Sequence, residues 1–337
     1  MSLRTKIAMV GAAAVAACLF LLIIQGLRLR TDAGRTGGGG RPPVARDAAR
    51  LQAAFDAEFH TRPDGYKGMC AHYGFSFPRP PKQMDPGLMY RAVADGAVDI
   101  IDGFATDGRI PAYDLLVLED DRHFFPPYYA APLVRKATLD AHPEIAAVLG
   151  ELAGRIPDAV MQQLNYQVDE QGMKASDVAR EFLVEQRLIP AEGTAPETAS
   201  AASVTIGGKQ FTEQEVLGEL MATLLEHKTG LEVVRRLNLG GTMICFNALR
   251  SGDLDIYAEY TGTGLVNILK RDVISEPETA YRVVKDEFAA EYDLVWLGPF
   301  GFNNTYTLTM RRAQAEDLGL ETISDLARFF GAGTESN

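Results

Sequence analysis

The stretch IGGKQFTEQE, residues 206–215, decides how the rest of the chain is read. A short apolar lead, Val204-Thr205-Ile206, runs into a glycine turn. Thr212 with Glu215 then makes a T-x-x-E pattern, which predicts a capping box at a helix start. Apolar residues at helical spacing continue through FTEQEVLGELMATLLEHK and stop at Gly230. A domain's first strand, turn and helix would look like this, yet the stretch lies past the middle of a 337-residue chain. Downstream, LEVVRRLNL, DLDIYAEY, YDLVWLGPF and NNTYTLTM read as strands, with a short helix from Thr242 to Ser251. Upstream, PGLMYRAVADG reads as a helix, and AVDIIDGFAT and DLLVLE (114–119) as strands. Three amphipathic helices follow: PEIAAVLGELAG, PDAVMQQLNYQV and SDVAREFLVEQR. The alternation predicts an α/β protein with mostly parallel sheets.

Two segments lack any such period. TDAGRTGGGGRPPVAR (31–46) is a Gly/Pro/Arg tether, and AEGTAPETASAAS (191–203) is a second linker. They divide the chain into residues 1–30, the tether 31–46, a first block 47–190, the linker 191–203 and a second block 204–337. The blocks do not resemble each other, so the chain is not an internal repeat.

Charge narrows the partners. The net charge is −12. Residues 1–46 hold seven Lys/Arg and one acid, Asp32, a balance of +6, so residues 47–337 carry −18. A body this acidic repels phosphate backbones, which argues against nucleic acid as a partner. No histidine falls in a metal or nucleophile pattern, and no cofactor fingerprint is present, so no metal, no cofactor and no catalysis are expected. Ile7 to Leu27 holds no charged residue and is long enough to span a bilayer. Three readings stand: a membrane anchor, a cleaved signal peptide, and a lipoprotein signal ending at Cys18. The strongly apolar LFLLII after Cys18 opposes the last. Cys70 and Cys245 are read as two buried free thiols rather than a disulfide.

The second block resembles the first half of the substrate-binding proteins of osmoprotectant (glycine betaine/choline) ABC transporters. The matching residues are GGKQFTEQ (207–214), LGGT (239–242), GDLDIYAEYTGTG (252–264), FNNTYTLTM (302–310) and TISDLA (322–327). The first block resembles the second half of the same family, through EFHTRPDGYKG (58–68), MDPGLMYRAV (84–93), VDIIDGFATDGRI (98–110) and LLVLEDDRHFFPPYYAAPLV (115–134). MQQLNYQVD (161–169) and VAREFLVEQRLI (178–189) extend that match. The order is reversed, so the chain looks circularly permuted, with 191–203 joining the family's old end to its old start. A rival account is two half-copies that pair with other halves in trans. The resemblance implies a two-lobed, type 2 periplasmic-binding-protein-like fold, circularly permuted, and the uncharged span 7–27 adds an N-terminal transmembrane helix as the expectation. Lobe A would comprise 204–302 and 105–190, and lobe B 304–337 and 47–103. The crossovers would fall near Phe302-Asn303 and Gly103-Phe104.

The resemblance also implies a ligand cleft. A quaternary ammonium offers no N–H, and its charge is spread over methyl groups, so aromatic faces suit it. A betaine carboxylate calls for Arg or backbone N–H donors. By resemblance, Tyr260, Tyr306 and Tyr128 are cage walls, with Phe104 standing where many relatives carry tyrosine. Arg62 is the expected carboxylate partner from lobe B, while Thr263 and Lys209 lie where they reach the ligand. Tyr257 falls on the opposite strand face from Tyr260 and is assigned to the core. Tyr90 is read as helix packing, and Asp120-Asp121 as a charged turn with no role. The implied protein is an extracytoplasmic, membrane-anchored binding protein that carries a quaternary ammonium solute to ABC transporter permease subunits. A membrane-tethered sensor that keeps the fold without transport is the alternative.

Overall fold

The computed structural model describes residues 50–191 and 202–331, all within one compact unit, Val44–Asn337. The apolar span 7–27, the tether and most of the second linker lie outside the described residues. Among the described residues no helix is long and apolar enough to cross a membrane.

The described strands are β1 (Ala53–Phe55), β2 (Lys82–Gln83), β3 (Ile100–Phe104), β4 (Leu115–Leu118), β5 (Ala130–Arg135), β6 (Ser203–Gly207), β7 (Glu232–Arg236), β8 (Ile256–Tyr260), β9 (Leu294–Trp296) and β10 (Tyr306–Arg311). They form two five-stranded sheets, ordered β2-β1-β3-β10-β4 in lobe B and β7-β6-β8-β5-β9 in lobe A. The two orders match position by position. In each sheet the fourth strand comes from the other sequence block: β10 enters lobe B and β5 enters lobe A. The two blocks therefore fold together within one chain.

The sheets are not mostly parallel. Each has two parallel pairings and two antiparallel ones, and every antiparallel pairing involves β5 or β10. A buried apolar strand reads the same in either direction, so alternation with helices misses strands that arrive from the other lobe. The lobe boundary also moves. β4 pairs with β10 through Leu308↔Leu118 and its neighbours, so it belongs to lobe B rather than lobe A. The crossovers are thus 119–129, between β4 and β5, and 297–305, between β9 and β10.

The long helix Thr212–Thr229 packs under the helices Glu144–Gly150, Asp158–Asp169 and Ala175–Glu185 of the first block. It is buried on nearly all sides from Val216 to Leu225. Its start differs from the capping box. The N-cap is Phe211, extended at φ −154° and ψ 156°, and it makes no side-chain cap bond. Thr212 is already inside the helix and its hydroxyl donates to Asp169 at 2.6 Å. Gln214 reaches back instead, accepting from the Lys209 N–H at 3.2 Å. Lobe A has its own apolar centre around Trp296, Phe288 and Tyr257, and lobe B one around Met89, Tyr90 and Ile101. A third cluster runs through both lobes, from Phe55 and Phe59 to Leu220. Burying each large side chain contributes roughly 1.5–3 kcal/mol, enough to make each lobe a firm platform. Cys70 and Cys245 are buried free thiols.

Candidate functional site

The two crossovers are knit to each other. The Tyr128 N–H donates to Asn303 Oδ1 at 2.7 Å, and the Asn304 N–H donates to the Tyr128 carbonyl at 3.1 Å. Thr261, just past β8, accepts from the Tyr129 N–H at 3.0 Å and donates to the Pro127 carbonyl at 2.7 Å. Asp120 receives the Tyr73 hydroxyl and the Phe124 and Phe125 N–H groups at 2.5, 3.0 and 2.9 Å. The acidic turn is thus the clasp that shapes the loop carrying Tyr128. Gly262 lies flat beneath that ring: a Cβ there would sit 2.7 Å from Tyr128 Cε1. The chain then enters a π-helical turn, Thr263–Ile268, of a kind frequent at functional sites.

Between the lobes lies a cavity of about 460 Å³. All seven residues singled out in the sequence line it: Arg62, Phe104, Tyr128, Lys209, Tyr260, Thr263 and Tyr306. The rings form a connected set. Tyr306 and Phe104 face each other across the antiparallel β10–β3 pair, with ring centres 5.5 Å apart. Tyr128 meets Tyr306 edge to face at 5.5 Å and 87°. Phe211 stacks on Phe104 at 5.8 Å and 4°, and on Tyr260 at 6.3 Å and 28°. Phe211 was not picked from the sequence, although it sits inside the same KQF motif as Lys209.

Arg62 is 5 % exposed and held from three sides. Its guanidinium donates to both Asp64 oxygens at 2.9 and 2.6 Å, and to Thr263 Oγ1 of lobe A at 3.1 Å. It lies 5.4 Å from the Tyr306 ring centre and 5.9 Å from that of Tyr128. Tyr128 in turn donates its hydroxyl to Asp64 at 2.6 Å. Burial disfavours the Arg62 charge, but Tyr306, Tyr128 and Asp64 outweigh it and hold the group protonated. Lys209 is paired with buried Glu259 at 2.6 Å and sits 5.0 Å from the Tyr260 ring centre. Both cations carry their own carboxylate, so they leave no uncompensated positive field at the rings. Asp56, Glu58 and Asp85 also line the cavity, and their charges favour a cation inside it.

A second buried network stands behind Tyr260. Its hydroxyl donates to Glu213 Oε1 at 2.8 Å. Asn304 donates to the same oxygen at 2.8 Å, and Thr106 and Asn165 donate to Oε2 at 2.5 and 3.2 Å. Burial pushes the Glu213 carboxyl up, with these four donors pulling the other way. Tyr257 lies in the lobe A core with its hydroxyl on Glu259 at 2.9 Å. Tyr90 packs inside lobe B and accepts from the Phe104 N–H at 2.8 Å, so it fixes where that ring leaves the strand. Glu213, Asp64 and Glu58 were not picked from the sequence. Their acidic side chains read as ordinary polar helix or loop positions, and only their distant partners mark them.

The family model OpuAC, described as the substrate binding domain of ABC-type glycine betaine transport system, matches residues 43–185 and 202–335. A glycine-betaine-binding protein of Pseudomonas aeruginosa is 42% identical over 137 residues, 40% of this chain and 44% of that protein. The carnitine transport binding protein OpuCC of Listeria monocytogenes is 42% identical over 121 residues, 36% of this chain and 39% of that protein. The chain thus spans less than half the length of these curated relatives. A solved structure titled as a glycine betaine/carnitine/choline ABC transporter is 37% identical over 43% of this chain and 53% of that chain, with a TM-score of 0.34.

Proposed function

Because the chain belongs to the OpuAC family of substrate binding domains of ABC-type glycine betaine transport systems, we propose that it captures a quaternary ammonium solute in the cavity between its lobes. The observation that carries this reading is the ring set Tyr128, Tyr306, Phe104, Phe211 and Tyr260 around one cavity, with buried Arg62 at its side. The rings take the methylated cation by cation–π attraction and methyl packing. Arg62, held by Asp64 through Nε and Nη2, offers Nη1 beside the Thr263 hydroxyl to the carboxylate of a betaine as a charge-assisted hydrogen bond. Relatives named for glycine betaine and for carnitine support both halves of that chemistry. Arg62 of lobe B meets Thr263 of lobe A, so closure and ligand contact are one event. A ligand shifts the lobes only through contacts it makes better in the closed state.

Permutation of the family order fits the fold. β1 and the last described helix, Ile323–Gly331, meet through Phe77, whose ring lies 5.4 Å from Phe55 and 5.3 Å from Phe330. Ends this near allow the family's sequence order to be rejoined at another loop. The uncharged span 7–27 supports a tether that holds the binding unit on the extracytoplasmic side, where it hands solute to ABC permease subunits. Calorimetric titration of the protein with glycine betaine, choline, carnitine and proline tests the reading. One site per chain for a quaternary amine, with proline silent, is the expected result; silence toward all four would refute it.

A further inference from the structure

The cleft does not end at the ring set. A second cavity of about 480 Å³ lies beside the first. The two share a wall made of Asp85, Pro86, Phe104, Gln210, Phe211 and Asn304. The middle of that wall is the Phe104–Phe211 stack, two rings nearly parallel at 4°. Phe104 ends β3 in lobe B and Phe211 precedes the long helix of lobe A, so the partition exists only while the lobes are closed. Each ring is half-buried, and neither is locked by a polar bond.

The chambers differ in character. The first is walled by rings, with Arg62 and Lys209 set against Asp56, Glu58 and Asp85. The second carries six carboxyl side chains against two guanidinium groups, Arg91 and Arg109. Arg109 is already committed, with both Asp107 oxygens at 2.9 and 2.6 Å and its guanidinium 4.3 Å from the Tyr90 ring centre. Asp169 is pushed up in pKa by burial, with Asp107 and Glu170 adding to the shift against Arg109 and Thr212. A chamber so lined repels a carboxylate and favours positive charge or N–H donors.

We propose that Phe211 is a specificity-determining residue: stacked on Phe104, it closes the cage off from the acidic chamber and limits the ligand to a single compact cationic head. This rests on the quaternary ammonium reading of the first chamber. Without the ring, the two cavities join, and a longer cation with a second positive head spans both. One head sits among Tyr128, Tyr306 and Tyr260, and the other meets the carboxylates beyond the partition. Pocket walls discriminate by size in this way, at about ten-fold or more per misfitting group.

The test titrates wild type, Phe211→Ala and Phe211→Leu with glycine betaine and with hexamethonium, whose two trimethylammonium heads are joined by a hexamethylene chain. Wild type should prefer glycine betaine. In Phe211→Ala the ratio of the two affinities should move toward hexamethonium by at least about ten-fold. Phe211→Leu keeps the bulk and loses the ring face, so both affinities should fall together while their ratio stays close to wild type; it also serves if the alanine variant does not fold. An unchanged ratio in Phe211→Ala, or a Phe211→Leu ratio that moves as far as the alanine one, would overturn the assignment while leaving the binding function standing. Wild type that binds no quaternary amine would remove the function and this inference with it.

Discussion

Glu58 of lobe B caps a helix of lobe A. The Thr242 N–H donates to Glu58 Oε1 at 2.7 Å and the Thr242 hydroxyl donates to Oε2 at 3.0 Å, across 184 positions of sequence. The helix Thr242–Ser251 has Gly241 at its N-cap and so no side chain of its own to offer. A Cβ at Gly241 would lie 2.6 Å from Glu58 Oε1. The missing cap is therefore what makes room for the carboxylate of the other lobe. The pairing joins an anion to the positive end of a helix, and it exists only when the cleft is shut.

Glu58→Ala should weaken glycine betaine binding by roughly five- to ten-fold, the effect of losing one cap of about 1 kcal/mol in the closed state alone. Glu58→Gln, which keeps an acceptor, should lose less. Calorimetry gives the affinities, and small-angle scattering gives the change in compaction on adding ligand. Wild-type values for both in the alanine variant would reject the cross-lobe cap.

The same contact has a pH signature. Burial pushes the Glu58 carboxyl up, but Lys209, the Thr242 N–H, Arg62 and the Thr242 hydroxyl outweigh it and hold it below the usual carboxylate range. A group with a lowered folded pKa stabilises above its unfolded pKa, and that contribution disappears as pH falls through the folded one. Affinity should thus hold from neutral pH down to the usual carboxylate range, then fall as pH drops from there through the lowered value. The Glu58→Gln variant should show a shallower acid limb, and identical limbs would place the titration elsewhere.

Arg62→Ala should weaken glycine betaine far more than choline, which has no carboxylate. The same change strands Asp64, which takes two bonds from the guanidinium and is buried. Removing one partner of a buried ion pair costs about 3–5 kcal/mol, so thermal unfolding should show a clear loss of stability. Pairing the change with Asp64→Asn should restore part of that stability without restoring betaine selectivity. Equal losses of betaine and choline would refute the carboxylate role.

Tyr260 separates ring from hydroxyl. Tyr260→Phe keeps the face toward the cavity and removes one of four donors to Glu213. Unfolding measurements should show a loss of about 1–3 kcal/mol, with ligand affinity nearly unchanged. Tyr260→Ala should lose both. If the phenylalanine variant binds as poorly as the alanine one, the hydroxyl and not the ring contacts the solute.

The two described cysteines should be inert in the native protein. Burial pushes the Cys70 thiol up to about 12 and the Cys245 thiol to about 11, the latter despite Lys209. Thiolate is the reactive form, so iodoacetamide at pH 8 should label neither residue until denaturant is added. Peptide mapping after labelling reads each site separately. Rapid native labelling of Cys70 would mean that the helix carrying it opens readily.

Seven of the residues lining the cavity were legible as sequence because they sit in short local patterns that resemble the family's: Tyr260 before a glycine turn, Tyr306 in NNTYTL, Arg62 in HTRPDGY. Strand and helix periods likewise follow from which positions are apolar, a property of each segment alone. The chain's own residues thus determined the α/β alternation and the two blocks, while resemblance to the family singled out four of the five rings. Which sheet a strand joins is not local. β4 looks like any buried strand, and only its pairing with β10 puts it in lobe B. The sequence likewise holds no sign that Glu58 caps a helix 184 positions away, that Thr212 bonds Asp169 instead of its own helix end, or that Phe211 meets Phe104 across the cleft. Those contacts depend on how two separately packed lobes approach, and the tertiary structure alone fixes that distance.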